Sequence, residues 1–168
     1  MELLKFELSK EYRDRFQEAL DARDSAFILQ SLEDVKPADI TALLYEFSPE
    51  EFRYVMDLFP PERQAEVVND LDPDARKTYL EPYKLEEISA LVNYLDSDDA
   101  ADIVNELPIK EREEVLLGLD FELRQQVTEL LRYEEHVAGG LMAKELIKAN
   151  VNWTVVQCVE EIRKQAEN

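Results

Sequence analysis

Residues 36–131 divide without a gap into eight segments of twelve: KPADITALLYEF, SPEEFRYVMDLF, PPERQAEVVNDL, DPDARKTYLEPY, KLEEISALVNYL, DSDDAADIVNEL, PIKEREEVLLGL and DFELRQQVTELL. The eighth position of each is apolar or aromatic: Leu43, Val55, Val67, Tyr79, Leu91, Ile103, Val115 and Val127. So is the twelfth, from Phe47 to Leu131, and the ninth departs only at Thr128. Positions 5, 8, 9 and 12 are spaced as one face of an α-helix. Ser48, Asp72, Asp96 and Asp120 stand where an N-cap oxygen satisfies the free N–H groups of a first turn. Pro37, Pro49, Pro61 and Pro73 follow at the first helical position, where the missing N–H costs nothing. Each unit therefore predicts one helix of about two turns, too short to persist alone in water. Stability must come from stacking, so the expected fold is all-α: a solenoid-like superhelix of short helices in which a helix pair spans 24 residues.

On the N-terminal side, residues 8–22 read as a longer amphipathic helix through Leu8, Tyr12, Phe16 and Leu20. Residues 24–35 form a degenerate unit, and the two together cap the stack. On the C-terminal side RYEEHVAGGLM (132–142) breaks the rhythm, with Gly139 and Gly140 marking a turn or a close backbone approach. ELIKANV (145–151) reads as a short strand and WTVVQCVEEIRKQ (153–165) as a helix opened by Thr154. One strand and one helix do not make a domain. The expected division is a superhelical domain over 1–133, then a junction and the opening fragment of a second domain over 134–168.

Nineteen Lys and Arg against 39 Asp and Glu give a formal charge of −20. A chain this acidic repels nucleic acid and anionic lipid, and suits cations or basic partners. The single cysteine, Cys158, excludes an internal disulfide and fits a reducing compartment. No stretch approaches the ~20 apolar residues of a membrane span, so no direct membrane contact is expected of this segment. No nucleophile motif, phosphate loop or HExxH is present, and an enzyme is not expected. His136 is the sole histidine and has no soft ligands around it in sequence that would make a zinc site.

Asp98 and Asp102 lie four apart and so point the same way, one turn apart, where like charges repel. Between Lys84 and Lys110 there is no basic residue, while Glu86, Glu87, Asp96, Asp98, Asp99, Asp102 and Glu106 are acidic. A folded neighbour could supply the missing base. Asp98 and Asp99 also suit the positive end of a helix dipole, a purely structural role. Glu66 and Asp102 both hold the seventh position of their units, three units apart, and in a regular stack could face the same side.

PADITALLYEF (37–47), PPERQAEVV (60–68), DSDDAADIVNELP (96–108), RYEEHVAGGLM (132–142) and WTVVQCVEEIR (153–163), in this order, resemble the MgtE family of magnesium transporters from about residue 20 onward. The resemblance implies a cytosolic regulatory domain of a homodimeric integral membrane protein, followed by paired CBS domains and a transmembrane pore. The tail from about Leu141 would be the opening strand and helix of the first CBS domain. It implies that magnesium ions bind between the N and CBS domains and hold the pore closed. The family's magnesium carboxylates match Glu66, Asp98 and Asp102, with a backbone carbonyl contribution at Gly140. Mg²⁺ takes oxygen ligands, keeps several waters and often uses only one or two carboxylates. Binding to this segment alone should be weak, and other divalent cations could compete. A different reading is an acidic helical-repeat scaffold for a basic protein, resembling flagellar-motor switch proteins.

Overall fold

The computed structural model describes residues 9–133, 137–139, 142–144 and 149–166. Two helices precede the repeats, α1 (Lys10–Asp21) and α2 (Ser25–Leu32). Each twelve-residue unit then gives one helix: α3 (Pro37–Leu44), α4 (Pro49–Met56), α5 (Pro61–Asp70), α6 (Pro73–Leu80), α7 (Leu85–Val92), α8 (Ser97–Glu106), α9 (Ile109–Gly118) and α10 (Phe121–Leu130). A last helix, α11 (Val155–Ala166), follows Thr154, whose hydroxyl accepts the Gln157 N–H as an N-cap does. The fold is all-α, and no strand occurs among the described residues. Of the strand expected at 145–151, residues 145–148 lie outside the described residues, as do His136 and Gly140.

Packing follows an every-other-helix rule. Helices α3, α5, α7 and α9 stack in sequence as one row, and α4, α6, α8 and α10 as a second. Every eighth-position residue is buried between the rows, from Leu43 to Val127. The expected helix starts hold, with a difference in chemistry. Pro37, Pro49, Pro61 and Pro73 occupy the first turn as expected. Ser48 and Asp72 make the capping bond, and Glu51 reaches back to the N–H of Ser48 to complete a capping box. Asp96 and Asp120 sit at the N-cap with the same extended backbone but make no side-chain cap bond.

The fifth position does not stay apolar. It is apolar and buried in four units (Ile40, Phe52, Ile88, Ala100) and polar in the others (Gln64, Arg76, Arg112, Arg124). Three of the polar residues serve the backbone. Gln64 donates to the Phe59 carbonyl at 2.9 Å, and Arg112 to those of Asn105 and Leu107 at 2.6 and 3.4 Å. Arg76, buried, donates to the carbonyls of Val68, Asn69 and Leu71 at 2.8–3.1 Å. These carbonyls are the orphan acceptors that close a helix, so Arg76 and Arg112 each seal the helix before their own, whereas the buried Nε of Arg124 has no hydrogen-bond partner among the described residues.

The alternation exposes a longer period of four units, an offset of 48 residues. Thr41 bonds the carbonyls of Pro37 and Val67; its counterpart Ser89 bonds those of Leu85 and Val115. Tyr45 accepts the Asp72 N–H through its hydroxyl; its counterpart Asn93 accepts the Asp120 N–H through its side-chain oxygen. The turn ending α2, where the Val35 N–H meets the Leu32 carbonyl, returns at the end of α6 between Tyr83 and Leu80. Two copies of one four-helix arrangement, 24–71 and 72–119, therefore run in tandem, and α10 begins a third.

Candidate functional site

The acidic face centres on α8. Its predecessor by one period, α4, spends its first-turn carboxylate Glu51 on the capping box and on Gln17 at 2.8 Å. The aspartate at the same place in α8, Asp99, is one methylene shorter and makes no such box. It is half-buried instead, with its carboxyl facing the Asn69 side chain of α5. Burial raises its pKa above the ordinary aspartate value, reinforced by the charges of Asp98 and Asp96. The folded state thus binds a proton at Asp99 more readily than the unfolded chain does. Stability from this group rises as pH falls through its raised pKa and declines as the carboxylate forms. Asp99→Asn, which keeps the shape and removes the charge, is expected to raise the melting temperature near neutral pH. A drop would mean the carboxylate is held by attractive partners.

The neighbouring helices supply part of the base that residues 85–109 lack. Arg53 of α4 pairs with Glu87 at 2.5 Å, and Arg76 of α6 with Glu106 at 2.6 Å. The Arg53 guanidinium, helped by the Lys84 N–H, holds the Glu87 carboxyl down to about 2. A depressed carboxyl contributes above its ordinary 4.5, and the contribution is lost as pH falls from there toward about 2. Acid unfolding of Glu87→Gln should therefore be shallower across that interval than that of the parent chain, followed by circular dichroism. The pair is partly open to solvent, which screens its attraction.

Asp98 is half-buried in the first turn of α8, and Asp102 is exposed one turn further along. Glu66 is exposed on α5, in the other row, because three units is an odd step between alternating rows. Asn69 of α5 stands beside the Asp99 carboxyl of α8. Asn69 lies one turn from Glu66, and Asp99 one turn from Asp102. The segment after α10 returns to the same end of α8. The Lys144 N–H donates to the hydroxyl of Ser97, fully buried, at 3.0 Å, and the Lys144 ammonium pairs with Glu129 at 2.8 Å. A Cβ on Gly139 would stand 2.5 Å from the Tyr133 ring, so only glycine lets the junction pass there. Gly140 itself lies outside the described residues.

The donor set on this face is oxygen only, and carboxylates one turn apart suit a hard cation that retains water. Among the described residues, no three His, Cys, Asp or Glu side chains converge as a metal site. No helix of the described residues is long and apolar enough to cross a membrane.

Comparison with known proteins converges on one family. The magnesium transporter MgtE of Thermus thermophilus is 33% identical over 155 residues, covering 89% of this chain and 34% of its own length. The chain thus spans about a third of that relative. The crystal structure of the cytosolic domain of the Mg²⁺ channel MgtE in complex with ATP matches with a TM-score of 0.82 at 30% identity, over 92% of this chain and 64% of that one. The soluble part of a magnesium transporter shares the fold with a TM-score of 0.80 at 19% identity, over 94% of this chain and 62% of that one. The family model of the MgtE intracellular N domain matches residues 35–136, which begin one residue before the first twelve-residue unit and end five after the last, and the chain belongs to that family.

Proposed function

We propose that this chain is a cytosolic Mg²⁺-sensing regulatory domain of a homodimeric magnesium transporter, divided near residue 133 from the opening fragment of a CBS domain. Asp98, Asp102 and Glu66 would offer carboxylates to Mg²⁺, and Gly140 its backbone carbonyl, with the remaining ligands coming from the CBS domains. The observation that carries the reading is the return of the junction onto α8 through Lys144 and Ser97, next to Asp98. A cation shared across that junction would relieve the repulsion among carboxylates and favour a compact arrangement of the two domains. Low Mg²⁺ would leave the repulsion in force and free the domain to swing. The transport itself, the pore and the dimer belong to the longer protein implied by the relatives. The exposed apolar residues Val155 and Val156 on α11 are consistent with a helix that completes its packing against the rest of a CBS fold.

Limited proteolysis during a Mg²⁺ titration tests the reading, on this chain and on one extended through both CBS domains. Protection confined to the extended chain is the expected result. An extended chain indifferent to Mg²⁺ would refute the sensing role and favour a scaffold for a basic protein. A smaller effect is expected in the 168-residue chain. Millimolar Mg²⁺ should raise its melting temperature beyond NaCl of equal ionic strength, because bound cations stabilise the folded state by mass action. Asp98→Asn combined with Asp102→Asn should erase most of that excess. Equal shifts from both salts would leave general screening alone.

A further inference from the structure

We propose that the groove beside the C-terminus of α6 receives an arginine side chain presented by a protein segment outside this chain. The tandem copies supply the argument. In the first copy, Arg63 of α5 reaches the end of α2 and donates to the carbonyls of Leu32, Glu33 and Val35, its guanidinium lying 4.9 Å from the Phe59 ring centre. One period later the acceptors recur as Leu80, Glu81 and Tyr83, in a turn closed by the same bond. The donor does not recur. Glu111 stands in the place of Arg63, and Leu107 in the place of Phe59.

An open groove of about 800 Å³ lies there, bordered by Leu80, Glu81, Tyr83, Leu107 and Glu111. Among the described residues, no side chain donates a hydrogen bond to those three carbonyls. A helix C-terminus carries partial negative charge, and Glu111 adds a full one. Arg76, which also borders the groove, is committed to Glu106 and to the end of α5. Lys77 and Lys84 stand at the border as well. A planar fork of five N–H donors is what the first copy uses to satisfy this arrangement, and a point-charge ammonium matches three carbonyls less well. The volume far exceeds one guanidinium. Leu85, Ile88 and Ile103 furnish an apolar wall for residues flanking the arginine. The three carbonyls beside Glu111 call for a guanidinium, and the apolar wall for a peptide around it, not for a small cation.

The test uses the 168-residue chain and the blocked tripeptide acetyl-Leu-Arg-Leu-amide, followed by amide NMR. Saturable shifts are expected at residues 80–84, at Ile88 and at Glu111. Replacing the arginine by citrulline removes the charge and should weaken binding about tenfold or more. Glu111→Arg fills the groove from within, as Arg63 does in the first copy, and should raise the melting temperature and abolish the shifts. The wild-type comparison of arginine with citrulline stands even if that variant fails to fold. Absence of saturable shifts, or equal affinity for the citrulline peptide, would overturn the proposal. Equal affinity for acetyl-arginine-amide alone would also overturn it, in favour of a small guanidine as the ligand.

Discussion

Arg76→Met should destabilise the chain by about 3–5 kcal/mol, the usual cost of breaking a buried ion pair from one side. The guanidinium is buried and holds three carbonyls at the end of α5 together with the Glu106 carboxylate. Methionine keeps most of the stem's packing but leaves those acceptors without their donor, and an unpaired buried acceptor loses its hydration with nothing in return. Glu106→Gln removes the charge but retains a hydrogen-bonding oxygen, and should cost clearly less. Urea unfolding of both variants against the parent measures the difference. If the two cost the same, the ion pair dominates and the sealing of α5 contributes little.

Phe52→Ala is expected to cost a comparable 3–5 kcal/mol, from lost transfer free energy plus the cavity left behind. Phe52 is fully buried in α4, and its ring centre lies 4.6 Å from that of Tyr79 on α6, the next helix of the row. The Tyr79 hydroxyl in turn donates to the carbonyls of Leu44 and Phe47 at 3.2 Å, so this aromatic pair of the second row also holds the end of α3 in the first. In a stack where each helix leans on its neighbours two units away, damage should spread along a row before it crosses to the other. Native-state hydrogen exchange should show α4 and α6 losing protection most, with α9 and α10 least affected. Uniform loss across all helices would mean that the stack unfolds as one unit.

Much of this fold is legible in the twelve-residue spacing because burial at the eighth position depends only on helix geometry and on a neighbour to pack against. The helix starts are legible for the same local reason: proline and a cap oxygen act within four residues of themselves. The polar fifth position was the signal for the arginine seals, and it reads as an interruption of the apolar face until the carbonyls it serves are in view. Arg76 looks in sequence like a stray base beside Lys77, since nothing local says that its partners lie on α5 and α8. The candidate site was legible as residue types only. Asp98 and Asp102 share a face by spacing alone, whereas the approach of α5 to α8 rests on Asn69 and Asp99, a contact between units that no local pattern announces. Asp96 and Asp99 show the reverse limit. Their positions promise capping, yet a cap bond is absent at one and the other turns toward Asn69.

The 48-residue offset carries an evolutionary consequence. A duplicated scaffold can hold its interior fixed while one copy is released to acquire a new task. Val55 and Ile103, at the same place in the two copies, are both buried, while Tyr54 has Asp102 as its counterpart and Arg63 has Glu111. The first copy closes the end of α2 with its own Arg63, and the end of its α5 is closed by Arg76 of the second. The second carries Glu111 and an open groove where the first has Arg63, so one repeated interior supports two different surfaces.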